Sequence, residues 1–256
     1  MGRTITFINE KGGIGKTSSC FNISWELVNR GKKVLMIDID GQRANLTYVA
    51  GVEKTNEMLT IYDIVLRGIS IRKTIRTVRE GLELVPANSV CSDIPSSAKI
   101  FSLKKAIQEI KAEYDYIMID VNPTPNWSHA LAIAASDYLI IPMLPDVCSL
   151  EANAGIAESI EDLRGYTPEL KVLGILFNKY DNRTNLAKQV RSIADGIAEQ
   201  LDTRVFDTYI HNAVAMGESV YPHIGITDYQ KRSAAAEDIR MLVTEIEERI
   251  RSVEAG

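Results

Sequence analysis

The sequence predicts an α/β fold: a doubly wound, mostly parallel sheet with helices on both faces. Three observations carry that reading. Short apolar stretches rich in β-formers recur along the chain, segments with helical spacing lie between them, and each stretch is continuous rather than alternating. Continuous runs suit strands buried on both faces, and strand followed by helix, repeated, builds a parallel sheet covered on both sides. With 256 residues, 45% of them hydrophobic and 25% charged, the chain can fill one core and reads as a single domain over 1–256. No internal repeat, low-complexity tract or Pro/Gly/Ser linker divides it.

Strands are expected at 4–9, 33–38, 82–86, 114–120, 138–143 and 171–178. The first helix, 16–30, aligns Cys20, Ile23, Leu27 and Val28 and stops at Gly31, a natural C-terminal cap. Further helices are expected at 97–113, 127–135, 149–164 and 186–201. The last, 233–253, sets Ile239, Leu242, Val243, Ile246, Ile250 and Val253 along one core-packing face. Residues 41–80 are the least regular, and 67–79 are locally basic.

Composition narrows the functional classes. With 29 Lys+Arg against 34 Asp+Glu and a net charge of −5, the molecule is no polycation, so nucleic acid could be met only by a local basic face. The 3 cysteines, Cys20, Cys91 and Cys148, lack CxxC spacing, which points to a reducing compartment and the cytoplasm. No apolar run of about 18 residues and no signal-peptide pattern is present, so a soluble, non-exported protein is expected. The N-terminal string Met1-Gly2-Arg3-Thr4-Ile5-Thr6 fits a myristoylation pattern but leads directly into a strand the fold must bury. His129, His211 and His223 lack metal-ligand spacing and read as structural or surface residues.

Between the first strand and the first helix runs Phe7-Ile8-Asn9-Glu10-Lys11-Gly12-Gly13-Ile14-Gly15-Lys16-Thr17. Glycines here let successive backbone N–H groups approach a phosphate, and the helix N-terminus adds partial positive charge. Lys16 is placed to reach β- and γ-phosphates, and the Thr17 hydroxyl to coordinate Mg²⁺. The common string G-x-x-x-x-G-K-[ST] fails at its first glycine, where Glu10 stands, and a second lysine, Lys11, precedes Gly12.

KGGIGKT resembles the deviant Walker A motif of the ParA/MinD-type ATPases, nearest to the ParA/Soj chromosome and plasmid partition proteins, and the resemblance implies a P-loop NTPase of the SIMIBI-like group. It implies a nucleotide site formed by Lys11, Gly12, Gly13, Ile14, Gly15, Lys16, Thr17 and Ser18. In the family the early lysine crosses a dimer interface to phosphates bound by the other subunit, and Lys11 matches it. A cation delivered in trans would couple dimerisation to ATP occupancy.

The second strand ends Asp38-Ile39-Asp40-Gly41-Gln42, similar to the family's D-x-D-P-Q switch segment with Gly41 in place of proline. Alternation along a strand directs Asp38 and Asp40 one way, toward the sheet end where doubly wound folds bind ligands. The resemblance gives Asp40 the role of orienting the attacking water, beside the metal. Catalysis is thus expected from Lys11, Lys16 and Asp40, and metal binding from Thr17, Asp40 and Asp120. Asp120 closes the apolar stretch Tyr116-Ile117-Met118-Ile119, a Walker B arrangement in which a buried carboxylate awaits a cation. Most relatives continue with Pro-Pro-Ser, whereas this chain reads Val121-Asn122-Pro123-Thr124.

After the stretch ending at Phe177 comes Asn178-Lys179-Tyr180-Asp181, an N-K-x-D string that GTPases use to read guanine. Relatives of the ParA/MinD type carry Asn at this strand end and bind adenine, so ATP with Mg²⁺ and Asn178 at the site is the expectation, with a GTP-using switch as the alternative. The output expected from the resemblance is nonspecific DNA binding by an ATP-dependent homodimer, released by hydrolysis that a ParB-like partner stimulates. Candidate basic contacts are Arg67, Arg72, Lys73, Arg76 and Arg79, and Arg183, Lys188 and Arg191. The family's arginine-bearing I-P-R-N-V-R stretch is matched by Ile210-His211-Asn212-Ala213-Val214-Ala215, which has no arginine. A membrane role is disfavoured by Glu245, Glu247 and Glu248 on the final helix. The early first strand leaves no room for an N-terminal helix-turn-helix, so specific operator binding is not expected. A contrasting reading is an adaptor that uses the same switch to recruit or position a protein complex.

Overall fold

The computed structural model describes residues 2–41, 45–55, 57–93, 95, 98–124, 127–146, 160–161, 165 and 167–255. Gln42, Cys148 and most of the helix expected at 149–164 lie outside the described residues.

Seven strands form one sheet: β1 (Arg3–Phe7), β2 (Val34–Asp38), β3 (Arg76–Arg79), β4 (Leu82–Val85), β5 (Tyr116–Asp120), β6 (Tyr138–Met143) and β7 (Lys171–Phe177). Their order is β3-β4-β2-β5-β1-β6-β7, parallel throughout except where β3 runs antiparallel to β4. The register matters for function: Phe7 and Asp38 both pair with Asp120, so β1, β2 and β5 end level at one edge.

Strands β1, β2, β5 and β6 are buried on both faces, whereas the edge strand β3 is only partly buried. On one side Ile5, Phe7, Met36 and Met118 pack against α1 (Lys16–Asn29) and the long C-terminal helix Ala234–Ala255. On the other, Ile37, Ile117, Ile119 and Leu139 meet the helices Ile61–Arg67, Ser102–Gln108, Trp127–Ala135 and Asn185–Gln200. In chain order these helices, with the short Asn45–Val49, Val214–Glu218 and Ile226–Tyr229, are α2 (Asn45–Val49), α3 (Ile61–Arg67), α4 (Ser102–Gln108), α5 (Trp127–Ala135), α6 (Asn185–Gln200), α7 (Val214–Glu218), α8 (Ile226–Tyr229) and α9 (Ala234–Ala255).

The expected strands are all present within two or three residues of their anticipated ends. The irregular stretch is where expectation and structure part. Residues 41–80 hold α2, α3 and the edge strand β3. The start of α3 is fixed by a reciprocal cap in which Thr60 and Asp63 satisfy each other's backbone N–H groups, and its end by Gly68 in the left-handed region at φ 65°. The helix expected at 97–113 is shorter, Ser102–Gln108, followed by a 3₁₀ turn at Lys111–Glu113.

Helix α9 is stitched to the sheet by a buried ion pair. Arg249 Nη2 lies 2.6 Å from Glu245 Oε1 and donates to Val205 O at 2.8 Å, while its Nη1 donates to Leu173 O at 2.6 Å. A side chain at Gly174 would collide with this guanidinium, since a Cβ there meets Arg249 Nη1 at 2.5 Å. Arg249→Leu strips donors from buried carbonyls and removes the charge partner of Glu245, which keeps only the backbone N–H groups of Asp207 and Thr208, so a loss of about 3–5 kcal/mol in urea unfolding is expected; a loss under about 1 kcal/mol would contradict this role.

Candidate nucleotide site

The chain leaves β1 through a loop held at both ends. Asn9 Nδ2 donates to Pro142 O at 2.7 Å, and its Oδ1 accepts from Lys11 N at 3.0 Å, which ties the start of the loop to β6. At the other end Gly15 is the N-cap of α1, in the left-handed region at φ 93°, with no side-chain cap on the helix. The first-turn N–H groups therefore remain available to an anion. A Cβ at Gly15 would sit 2.6 Å from Asn178 Nδ2, so glycine is required here by conformation and by space.

Asn178 lies behind the loop. Its Nδ2 donates to Ile14 O at 2.7 Å and it exchanges contacts with Ser19 Oγ at 3.2 and 3.4 Å. The geometry makes it a brace for the phosphate loop, and it is not among the residues lining the pocket. The rest of the N-K-x-D string departs from base reading as well. Asp181 is held by Arg183 through two guanidinium hydrogen bonds of 2.9 and 2.8 Å and one from its backbone N–H at 3.0 Å, which push its carboxyl down to about 2, and it too is absent from the lining. Lys179, in the left-handed region at φ 52°, does line the pocket.

Carboxylates from β2 and β5 close the site. Asp120 is fully buried; its Oδ2 accepts from Thr17 Oγ1 at 2.6 Å, and its Oδ1 has no hydrogen-bond partner. Burial, then the charge of Asp38, pushes the Asp120 carboxyl well up. An orphaned buried carboxylate oxygen beside a hydroxyl is a donor set that fits a hard divalent cation such as Mg²⁺. Lys16 is buried over the loop, its Nζ donating to Asn9 O at 2.8 Å and Lys11 O at 3.0 Å. Burial pulls its ammonium down to about 8, against Asp120 and Asp40, which hold it up.

Asp38 and Asp40 do not share a task. Asp38 accepts from Thr47 N at 2.8 Å, Thr47 Oγ1 at 2.7 Å and Asp40 N at 2.9 Å, anchoring α2, and burial raises its carboxyl to about 6 despite these bonds. Asp40 lines the pocket, where Asn45 Nδ2 approaches its Oδ2 at 3.3 Å.

The pocket has a volume of about 630 Å³ and takes in Gly12, Gly13, Ile14, Gly15, Lys16, Thr17, Ser18 and Asp40 together. Lys11 is outside it. Its ammonium is paired with Asp146 Oδ1 at 2.6 Å, and both side chains are partly exposed. The far wall was missed by sequence reasoning: Tyr48 and Val49 from α2, and Asn212, Ala213, Val214 and Met216 from the α7 region. The segment carries no arginine between Ile210 and Ala215, and no motif in the sequence marks the short helix that sets Val214 and Met216 at the pocket wall.

The basic residues proposed for DNA fall into two groups at opposite edges of the sheet, one near β3 and the other on or before α6, which packs against β7. Most hold acidic or carbonyl partners. Arg67 pairs with Asp63 and Arg72 with Glu113; Arg76 donates to Lys73, Thr74 and Ile75 carbonyls; Arg79 stacks on Trp25 at 3.8 Å; Arg191 lies 3.8 Å from Asp207. Lys73 and Lys188 are exposed. Among the described residues no helix is long and apolar enough to cross a membrane.

If Asn178 braces the loop, Asn178→Asp, which removes the donor to Ile14 O, weakens ATP and GTP binding alike, by about tenfold for one lost buried hydrogen bond. Titration with fluorescent ATP and GTP analogues checks this; a selective change for one base would restore a base-reading role.

A family model described as an AAA domain matches residues 2–172. The chain is 30% identical over 253 residues to the chromosome-partitioning ATPase Soj of Treponema pallidum, covering 96% of this chain and 97% of the relative. Among solved structures, apo McdA of Cyanothece superposes with a TM-score of 0.85 at 19% identity, over 98% of this chain and 100% of that one. The MinD protein of Pyrococcus horikoshii complexed with Mg-ADP gives a TM-score of 0.77 at 22% identity, over 97% and 96%. With the deviant phosphate loop, the level ends of β1, β2 and β5, and a Soj relative matched along nearly its whole length, the chain belongs to the ParA/MinD-type ATPases.

Proposed function

We propose that this ATPase is a partition-type switch: Mg-ATP joins two chains, the dimer binds DNA without sequence preference, and hydrolysis, stimulated by a ParB-like partner, releases it. The observation that carries the reading is the division of labour between two lysines. Lys16 lines the pocket, whereas Lys11, on the same loop, is not among its lining residues and pairs with Asp146. A lysine so placed can exchange Asp146 for a phosphate held by a second copy.

ATP is favoured over GTP because the phosphate loop and the Asp38–Gly41 segment resemble those of the ATP-using family, and Asp181 is not among the residues lining the pocket. The Mg-ADP complex of the structurally similar MinD supports a purine nucleotide with Mg²⁺ in this fold. Thr17 and Asp120 would hold the metal, which would supply positive charge against the phosphates. The chain's own residues do the rest. Backbone N–H groups of the loop and the Lys16 ammonium stabilise charge on the phosphates, and Asp40, at the pocket wall, orients the attacking water. Lys11 from the second chain adds a further cation, in the manner of a finger supplied in trans.

DNA as the output is supported by the chromosome-partitioning role in the name of the Soj relative. The ion pairs at Arg67, Arg72, Arg183 and Arg191 mean that phosphate contacts from those residues require partner exchange. A dimer doubles whatever cationic surface one chain offers, and counterion release accumulates with each phosphate neutralised.

Sedimentation with Mg²⁺ and non-hydrolysable ATP should show a dimer for the natural sequence and single chains for Lys11→Ala, with nucleotide still bound. DNA retention should follow the dimer and fall steeply with salt. A full Lys11→Ala dimer, or retention indifferent to nucleotide and salt, contradicts the proposal.

A further inference from the structure

The turn after Asp120, which reads Val121-Asn122-Pro123-Thr124, is gripped from one helix. Asn122, 2% exposed, lies between Asp120 and Pro123, a pocket-lining residue. Its carbonyl oxygen accepts from His129 Nε2 at 2.8 Å, and its Oδ1 accepts from Ser128 Oγ at 3.4 Å. Both donors belong to the first turn of α5, whose Leu131, Ala132 and Ile133 are anchored in the core. The backbone and side-chain oxygens of Asn122 are thus held by a helix that cannot shift without disturbing the core.

His129 is itself 6% exposed. Burial, with a smaller contribution from the Lys16 charge, holds its imidazole below the ordinary range, against the hydrogen bond to Asn122, which raises it. A neutral ring that donates from Nε2 has a single tautomer, with its Nδ1 lone pair retained.

We propose that His129 is a positioning residue for ATP hydrolysis, fixing the turn Val121–Pro123 between the metal-binding carboxylate and the pocket wall. The phosphate loop is held separately, by Asn9 and Asn178. The phosphate loop and the turn thus have separate anchors, so loss of the His129 bond leaves the loop in place and falls mainly on the chemical step, which demands sub-ångström placement.

The test pairs His129→Leu, which fills similar space without a donor, with His129→Gln, whose amide Nε2 can donate at similar reach. For His129→Leu, kcat is expected to fall about tenfold with nucleotide Kd changed less than about twofold, and His129→Gln should recover most of the rate. Unchanged kcat in His129→Leu, or equal loss of rate and affinity in both variants, overturns the proposal. A measurement on the natural sequence stands independently of variant folding. In ¹⁵N NMR the His129 ring should be the neutral Nε2–H tautomer, with a resonance that moves between Mg-ADP and a non-hydrolysable Mg-ATP analogue. A freely titrating ring, or one identical in both states, contradicts it.

Discussion

Among the described residues, Asp38, Asp40 and Asp120 are buried at one edge of the sheet against a single buried ammonium, that of Lys16. This imbalance is the constraint on which the rest of the molecule depends. Burying unpaired charge is costly, and a fold retains such a cluster where a ligand supplies what is missing. Asp38 is relieved by three hydrogen bonds, but Asp120 Oδ1 has none. The deficit is therefore concentrated at the oxygen next to Thr17, where a metal–nucleotide complex would bring positive charge to the carboxylate and receive the loop's N–H groups on its phosphates. Stability is spent to keep that site ready.

The same edge explains how binding could become a signal. The loop from β1, the α2 anchor on Asp38 and the turn after Asp120 all leave from strands paired in register. A charge entering the pocket acts on all three at once. Lys11 sits at the margin of this arrangement, its ammonium paired with Asp146 at partial exposure, where an ion pair contributes little and is readily exchanged. The arrangement suits a switch: the costly charges are interior and fixed, and the exchangeable one is peripheral.

Much of this was legible in the sequence because it rests on local chemistry. The strands β2, β5 and β6 announce themselves as largely unbroken apolar runs, and the phosphate loop and Asp120 are read from the strand ends they occupy. What was not legible depends on distant pairing. Nothing in Asn178-Lys179-Tyr180-Asp181 shows that Arg183 captures Asp181, or that Asn178 fills the space left by Gly15. Asp38 and Asp40 look equivalent by alternation, yet Thr47, nine residues beyond Asp38, claims only the first. The edge strand β3 was hidden because its Arg76-Thr77-Val78-Arg79 pattern is short and charged, as exposed edges are. His129 read as merely structural because its partner is a backbone oxygen, which no motif records.

The central claim is that Asp120 is held at a cost that a metal–nucleotide complex removes. Thermal unfolding of the natural sequence and of Asp120→Asn, each with and without Mg-ATP, tests it most directly. Because burial raises the Asp120 carboxyl above its unfolded value, its ionised form disfavours folding at neutral pH. The account predicts that Asp120→Asn melts higher than the natural sequence without ligand, and that Mg-ATP stabilises the natural sequence far more than the variant. A variant that melts lower without ligand, or gains as much from Mg-ATP, would contradict it.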